Sequence, residues 1–261
     1  MRPGRVFVAE LAKLRRSPIT WITFAVYSVF PLIGGLFMYI LKDPEGARKL
    51  GLLGQKASFS VSSADWPGFL GFLTAMAAIG GMLLTSVIVA YIFGREYVEN
   101  TAKNMLALPV RRERFVASKL GVALLWFAAL TLWLCAEGLV VGRVLDLSGW
   151  STPAFMHALK IILSASLLLF MLSPITAWIA QASKGYMAPL GFSMGVLILS
   201  AFLGHTGWGQ WFPWTIITMI AGMTGEQLQE IPASSYIVVT LACAFGVAAV
   251  LININRADNT Q

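Results

Sequence analysis

The sequence predicts an all-α integral membrane protein that crosses the bilayer six times. Three observations lead there. Of the 261 residues, 57% are hydrophobic and only 12% charged, and the mean hydropathy is +0.75, far from the balance of soluble domains. Apolar stretches of about 18 residues or more recur, the length that crosses roughly 30 Å of hydrocarbon. The basic residues gather between those stretches and weight one side of the membrane, as topology demands.

Residues 1–18 carry Arg2, Arg5, Lys13, Arg15 and Arg16 against one acid, Glu10. Val6, Phe7, Leu11 and Leu14 recur at helical spacing, which predicts an N-terminal amphipathic helix lying in the interface. The first span covers 19–41, with Pro31 and Gly34-Gly35 marking a kink or a close helix contact. A polar segment follows to Trp66. Its Gly46, Gly51, Gly54 and Lys56 lack the spacing of a phosphate-binding loop, and no strand precedes them. The second span, 67–93, is rich in small residues (Gly71, Ala75, Ala78, Gly80, Gly81), which let neighbouring helices approach closely. The third covers 115–141 and the fourth 154–179, where Ser173-Pro174 predicts a kink. After a tight turn over 181–186 comes the fifth, 187–203. Between 204 and 232 the apolar piece Thr215–Ile220 is too short to cross. It predicts an interfacial or re-entrant hairpin anchored by Trp208, Trp211 and Trp214. The last span is 234–254. The whole chain thus reads as a single transmembrane domain.

The loop over 94–114 is the most informative polar stretch. Arg95 to Leu108 reads as a short helix, with Glu99 four residues before Lys103 in the favourable order. Pro109 ends it, because the residue before a proline is pushed out of the α region. A new helix starts in the basic run Arg111-Arg112-Glu113-Arg114. Counting bases, thirteen of the 19 Lys and Arg lie on the side of the termini and this loop, and five on the other. The termini and the loop are therefore expected in the cytoplasm of a multi-pass plasma-membrane protein. The net charge of +7 follows from topology and does not imply nucleic acid.

Catalytic chemistry is sparse. His157 and His205 are the two histidines, with no second ligand at metal-binding spacing, so no metal site is expected. Gly191-Phe192-Ser193 with His205 lacks the pattern and spacing of an intramembrane serine protease. Cys135 and Cys243 both lie in apolar runs and read as small buried hydrophobes. Glu137 and Lys160 are ionisable residues inside spans, at similar depth on helices joined by a short loop. They form an ion pair that holds two helices together, or Lys160 simply snorkels to the surface, or the two line a substrate path.

The order Glu96-Tyr97, Thr101, Lys103-Asn104, Leu106, Leu108-Pro109, Arg112 and Lys119 resembles the cytoplasmic loop of ABC transporter permeases of the type-2 exporter family. The Lys-Leu-Arg-Arg-Ser of residues 13–17 and the Phe-Pro-Trp of 212–214 are most similar to permeases of bacitracin and lantibiotic self-protection systems. The resemblance implies that 94–114 contains a coupling helix, with Glu96 positioning it and Glu99, Thr101, Lys103, Leu106 and Pro109 facing an ABC ATP-binding subunit. It implies no catalytic residue and no cofactor on this chain, with ATP and Mg on the partner. It also implies a second permease copy, identical or closely related, and outward movement of an amphipathic or hydrophobic substrate such as an antimicrobial peptide or drug. Small residues on the last two spans (Gly191 with Gly195, Ala242 with Gly246) offer close-packing faces, between subunits among other places. The alternative is a membrane carrier, channel or structural subunit without an ATPase. A proton-coupled carrier would need more intramembrane carboxylates than Glu137 supplies.

Overall fold

The computed structural model describes residues 3–49, 64–99, 101, 111–223 and 232–256. Among them the chain is helical, with one isolated bridge pairing Asp65 and Ser148. The helices are α1 (Pro3–Arg15), α2 (Pro18–Lys42), α3 (Pro44–Lys49), α4 (Trp66–Val98), α5 (Arg112–Val144), α6 (Thr152–Ala182), α7 (Met187–Leu203), α8 (Pro213–Ile220) and α9 (Ala233–Arg256). A 3₁₀ turn, Gly209–Trp211, precedes α8. Five of these, α2, α4, α5, α6 and α9, are long and apolar enough to cross a membrane. The expected fifth span is α7, whose 17 residues extend only about 25 Å at 1.5 Å per residue.

Local chemistry sets the boundaries. Ser17 caps α2, its hydroxyl accepting from the Ile19 N–H, and Pro18 occupies the first turn, where its missing N–H costs nothing. Asp65 caps α4 through the Gly68 N–H at 2.9 Å. The turn from α5 to α6 needs left-handed backbone at Asp146 (φ 48°) and Gly149 (φ 77°). Prolines inside α2 and α6 leave both helices continuous. At Pro174 the reason is visible. The proline cannot donate to the Phe170 carbonyl, and the Ser173 hydroxyl does so at 2.7 Å.

α4 and α6 form the central pair. α2 and α5 pack on each other and on α4, α7 and α8 pack on both members of the pair, and α9 packs chiefly on α6 and also on α5. One core runs from Leu14 and Tyr27 through Phe69, Ile88 and Phe93 to Leu134 and Val250. A second joins Met82, Leu169, Ile216 and Ile217. Leu132, Val140, Leu167, Ile198 and Leu241 are more than half exposed, as fits side chains whose solvent is lipid.

Gly246 lets α9 approach α6. A Cβ there would stand 2.7 Å from the Ile175 backbone nitrogen. That close-packing face is therefore used within the chain. Gly191 and Gly195 on α7 have nothing within 4 Å of their Cβ positions. Trp208 and Trp211 are exposed, whereas Trp214 turns against Phe192, ring centroids 5.4 Å apart.

Candidate coupling site

α4 does not stop where its apolar residues end. The helix continues through Gly94 to Val98, with its C-cap at Glu99. The expected break after Leu108 is thus preceded by one at residue 99, and Gly94–Val98 extend the span instead of opening a separate helix. The extension carries Glu96 inward, where it is 7% exposed.

Glu96 meets two lysines there. Lys119 of α5, 2% exposed, donates to Oε2 at 2.5 Å and also to the Ile92 carbonyl. Its Nζ lies 5.3 Å and 5.0 Å from the ring centroids of Phe93 and Phe115. Lys13 of α1 stands 3.5 Å from Glu96 Oε1 and donates to Glu10 at 2.6 Å. Two acids and two bases therefore form a charge-balanced cluster joining α1, α4 and α5. Such balance is what buried ions require, since each loses hydration. Burial pulls the Lys13 ammonium down, but the hydrogen bonds and charges of Glu10 and Glu96 outweigh it and hold its pKa above the ordinary lysine value.

Other contacts fix the surroundings. Ser17 and Tyr91 share a hydrogen bond of 2.7 Å, pinning the α1–α2 turn to α4. The Thr101 N–H donates to the Glu96 carbonyl at 2.9 Å. Glu99 is exposed and accepts from Arg95 at 2.8 Å. Arg112, at the start of α5, donates to the carbonyls of Ile254 and Asn255 at 3.2 and 3.4 Å, placing a cation on the C-terminus of α9.

The expected coupling residues thus separate. Glu96 lies beneath the surface, Glu99 is exposed and Thr101 half-buried, while Lys103, Leu106 and Pro109 fall outside the described residues. The expected Glu99–Lys103 pair therefore lies outside them as well. Glu10, Lys13 and the role of Lys119 escaped the sequence reading, which counted Lys119 with the loop. The signals were a lone acid in a basic helix and a lysine with apolar helix on both sides.

Glu137 and Lys160 do not pair. Lys160 is exposed on α6, and Glu137 Oε2 is buried with no hydrogen-bond partner; among the described residues no ion pair joins them.

Long apolar helices enclosing a shared core, with charge concentrated at one end, define a multi-pass integral membrane protein. The chain belongs to the family described as ABC-2 family transporter protein, which matches residues 6–202. It is 31% identical over 180 residues to the bacitracin transport permease protein BCRB of Bacillus licheniformis, covering 68% of this chain and 85% of that protein. It is accordingly a permease subunit of an ABC transporter, a plasma-membrane transport component that works with an ATP-binding subunit. Family membership removes the reading as a carrier, channel or structural subunit outside the ABC class.

Proposed function

We infer that this permease exports an amphipathic or hydrophobic substrate, an antimicrobial peptide or drug, by alternating access driven by ATP hydrolysis on the partner chain. ATP and Mg bind that partner, and this chain contributes no catalytic residue. The observation that carries the reading is the Glu10–Lys13–Glu96–Lys119 cluster. It ties three helices together where the 94–114 loop leaves α4 and enters α5, so force applied to the loop would move α1, α4 and α5 as one unit.

Two permease copies and two ATPase subunits complete the working unit. The open face of α7 around Gly191 and Gly195 is a contact for the second copy. α7 makes the sixth crossing, with Gly209–Ile220 an interfacial or re-entrant hairpin after it, which puts both termini on the cytoplasmic side, in keeping with the basic-residue count. The likeness to a bacitracin permease favours a peptide substrate.

The test is co-purification from detergent-solubilised membranes of wild type and of a Glu96→Ala, Leu106→Asp variant, combined with peptide tolerance of the producing cells. Recovery of a Walker-motif ATPase with wild type, lost in the variant together with tolerance, is expected. Undiminished ATPase recovery with the variant would remove the loop from the coupling role. Tolerance that does not depend on the protein would remove peptide export.

A further inference from the structure

Where α1 turns into α2, the structure leaves a cleft of about 740 Å³. Its walls come from that turn, the end of α4 and the α6–α7 turn. We propose that it binds an anionic phospholipid, with the headgroup in the cleft and an acyl chain along α2. This goes beyond the transport reading and needs only that the chain lies in a membrane.

The upper wall is cationic. Lys13, Arg16 and Arg95 line it, against one acid, Glu99. Lys13 already serves Glu10 and Glu96, and Arg95 is held by Glu99 while its guanidinium sits 5.4 Å over the Tyr91 ring. The Arg16 side chain is exposed and has no hydrogen-bond or ion-pair partner among the described residues. The cleft therefore carries a net positive charge and one uncommitted guanidinium, the group best suited to grip a phosphate in two places.

The lower wall is apolar. Ile19 and Ile22 border the cleft, and Ile22 opens a stripe of half-exposed side chains, Ile22, Val26, Val29 and Ile33. Their spacing of four, three and four residues keeps them on one face of α2. From Ile22 to Ile33 the helix rises about 16 Å, close to half of the roughly 30 Å hydrocarbon core. A soluble anion has no use for such a stripe, whereas a lipid of the adjoining leaflet fills both parts. Basic pockets beside membrane helices recognise anionic headgroups in this way. The Ser17–Tyr91 hydrogen bond and the stack of Tyr91 on Tyr186, centroids 6.4 Å apart, hold the cleft open before any ligand arrives.

The test titrates delipidated, detergent-solubilised full-length protein with dioleoyl phosphatidylglycerol, following lipid-bound forms by native mass spectrometry. Dioleoyl phosphatidylcholine is the uncharged comparison. Arg16→Gln is expected to weaken phosphatidylglycerol binding about fivefold, in line with one basic side chain at a membrane surface, and Arg16→Lys to retain most of it. Arg15→Gln removes the same charge from the adjacent last residue of α1, outside the cleft, and is expected to leave binding within twofold. Equal loss in Arg15→Gln and Arg16→Gln, or equal wild-type affinity for phosphatidylcholine, overturns the site. So does complete competition by glycerol phosphate, which would make the ligand a soluble anion. Because both arginines are exposed, an unchanged melting temperature in each variant is the accompanying check on folding.

Discussion

Lys119 and Glu96, 23 residues apart in sequence, meet at 2.5 Å in a nearly water-free setting between α5 and α4. Removing one member strands the other. Glu96→Gln leaves the Lys119 ammonium with neutral acceptors and no counter-ion, whereas Lys119→Met leaves Glu96 with Lys13. Glu96→Gln is therefore expected to cost more, about 3–5 kcal/mol, and Lys119→Met less. The double variant should cost less than the sum of the two. Thermal or denaturant unfolding in detergent measures this, and strict additivity would deny the coupling.

The Ser173–Pro174 pair offers a test within one helix. In the natural background, Ser173→Ala leaves the partly buried Phe170 carbonyl without a donor, at a cost of about 1–3 kcal/mol. In a Pro174→Ala background, the restored residue-174 N–H serves the same carbonyl, and Ser173→Ala should then cost little. Equal penalties in both backgrounds would show that the hydroxyl does not compensate for the proline.

Glycines separate internal from external packing. Gly246→Leu forces side-chain atoms against the Pro174–Ile175 backbone and is expected to lower the melting temperature of the single chain. Gly191→Ala and Gly195→Ala meet open space and should leave it unchanged or slightly higher. If α7 packs against a second copy, bulky residues there reduce crosslinked dimer without lowering the monomer's melting temperature. Loss of folding at Gly191 would contradict the open face.

Much of this architecture was legible because hydrophobic length is a local property. The residues 187–203 that the reading assigned to the fifth span are those of α7, bounded by turn residues on both sides. Helix ends were less legible. Hydropathy locates the hydrocarbon, but backbone hydrogen bonding carried α4 past Phe93 to Val98 through polar residues. The ion cluster was beyond spacing arguments, since Lys13, Glu96 and Lys119 come together only through tertiary packing. Glu137 and Lys160 show the converse. Their similar depth could be counted along the helices, but the face each presents depends on how α5 and α6 are rotated, and that left Lys160 exposed.

Lys13 gives the cluster a defined pH response. Its folded-state pKa is raised, so folding favours the protonated form. The stabilisation is fully present below the ordinary lysine value of 10.5 and is lost as pH climbs through the higher folded value. The melting-temperature difference between wild type and Lys13→Met should therefore stay level from neutral pH to about 10 and shrink above it. Unfolding scans between pH 7 and 11.5 measure that difference. If it were already to shrink between pH 7 and 9, Lys13 would have to titrate below its ordinary range, and Glu10 and Glu96 could not be holding its proton as the geometry requires.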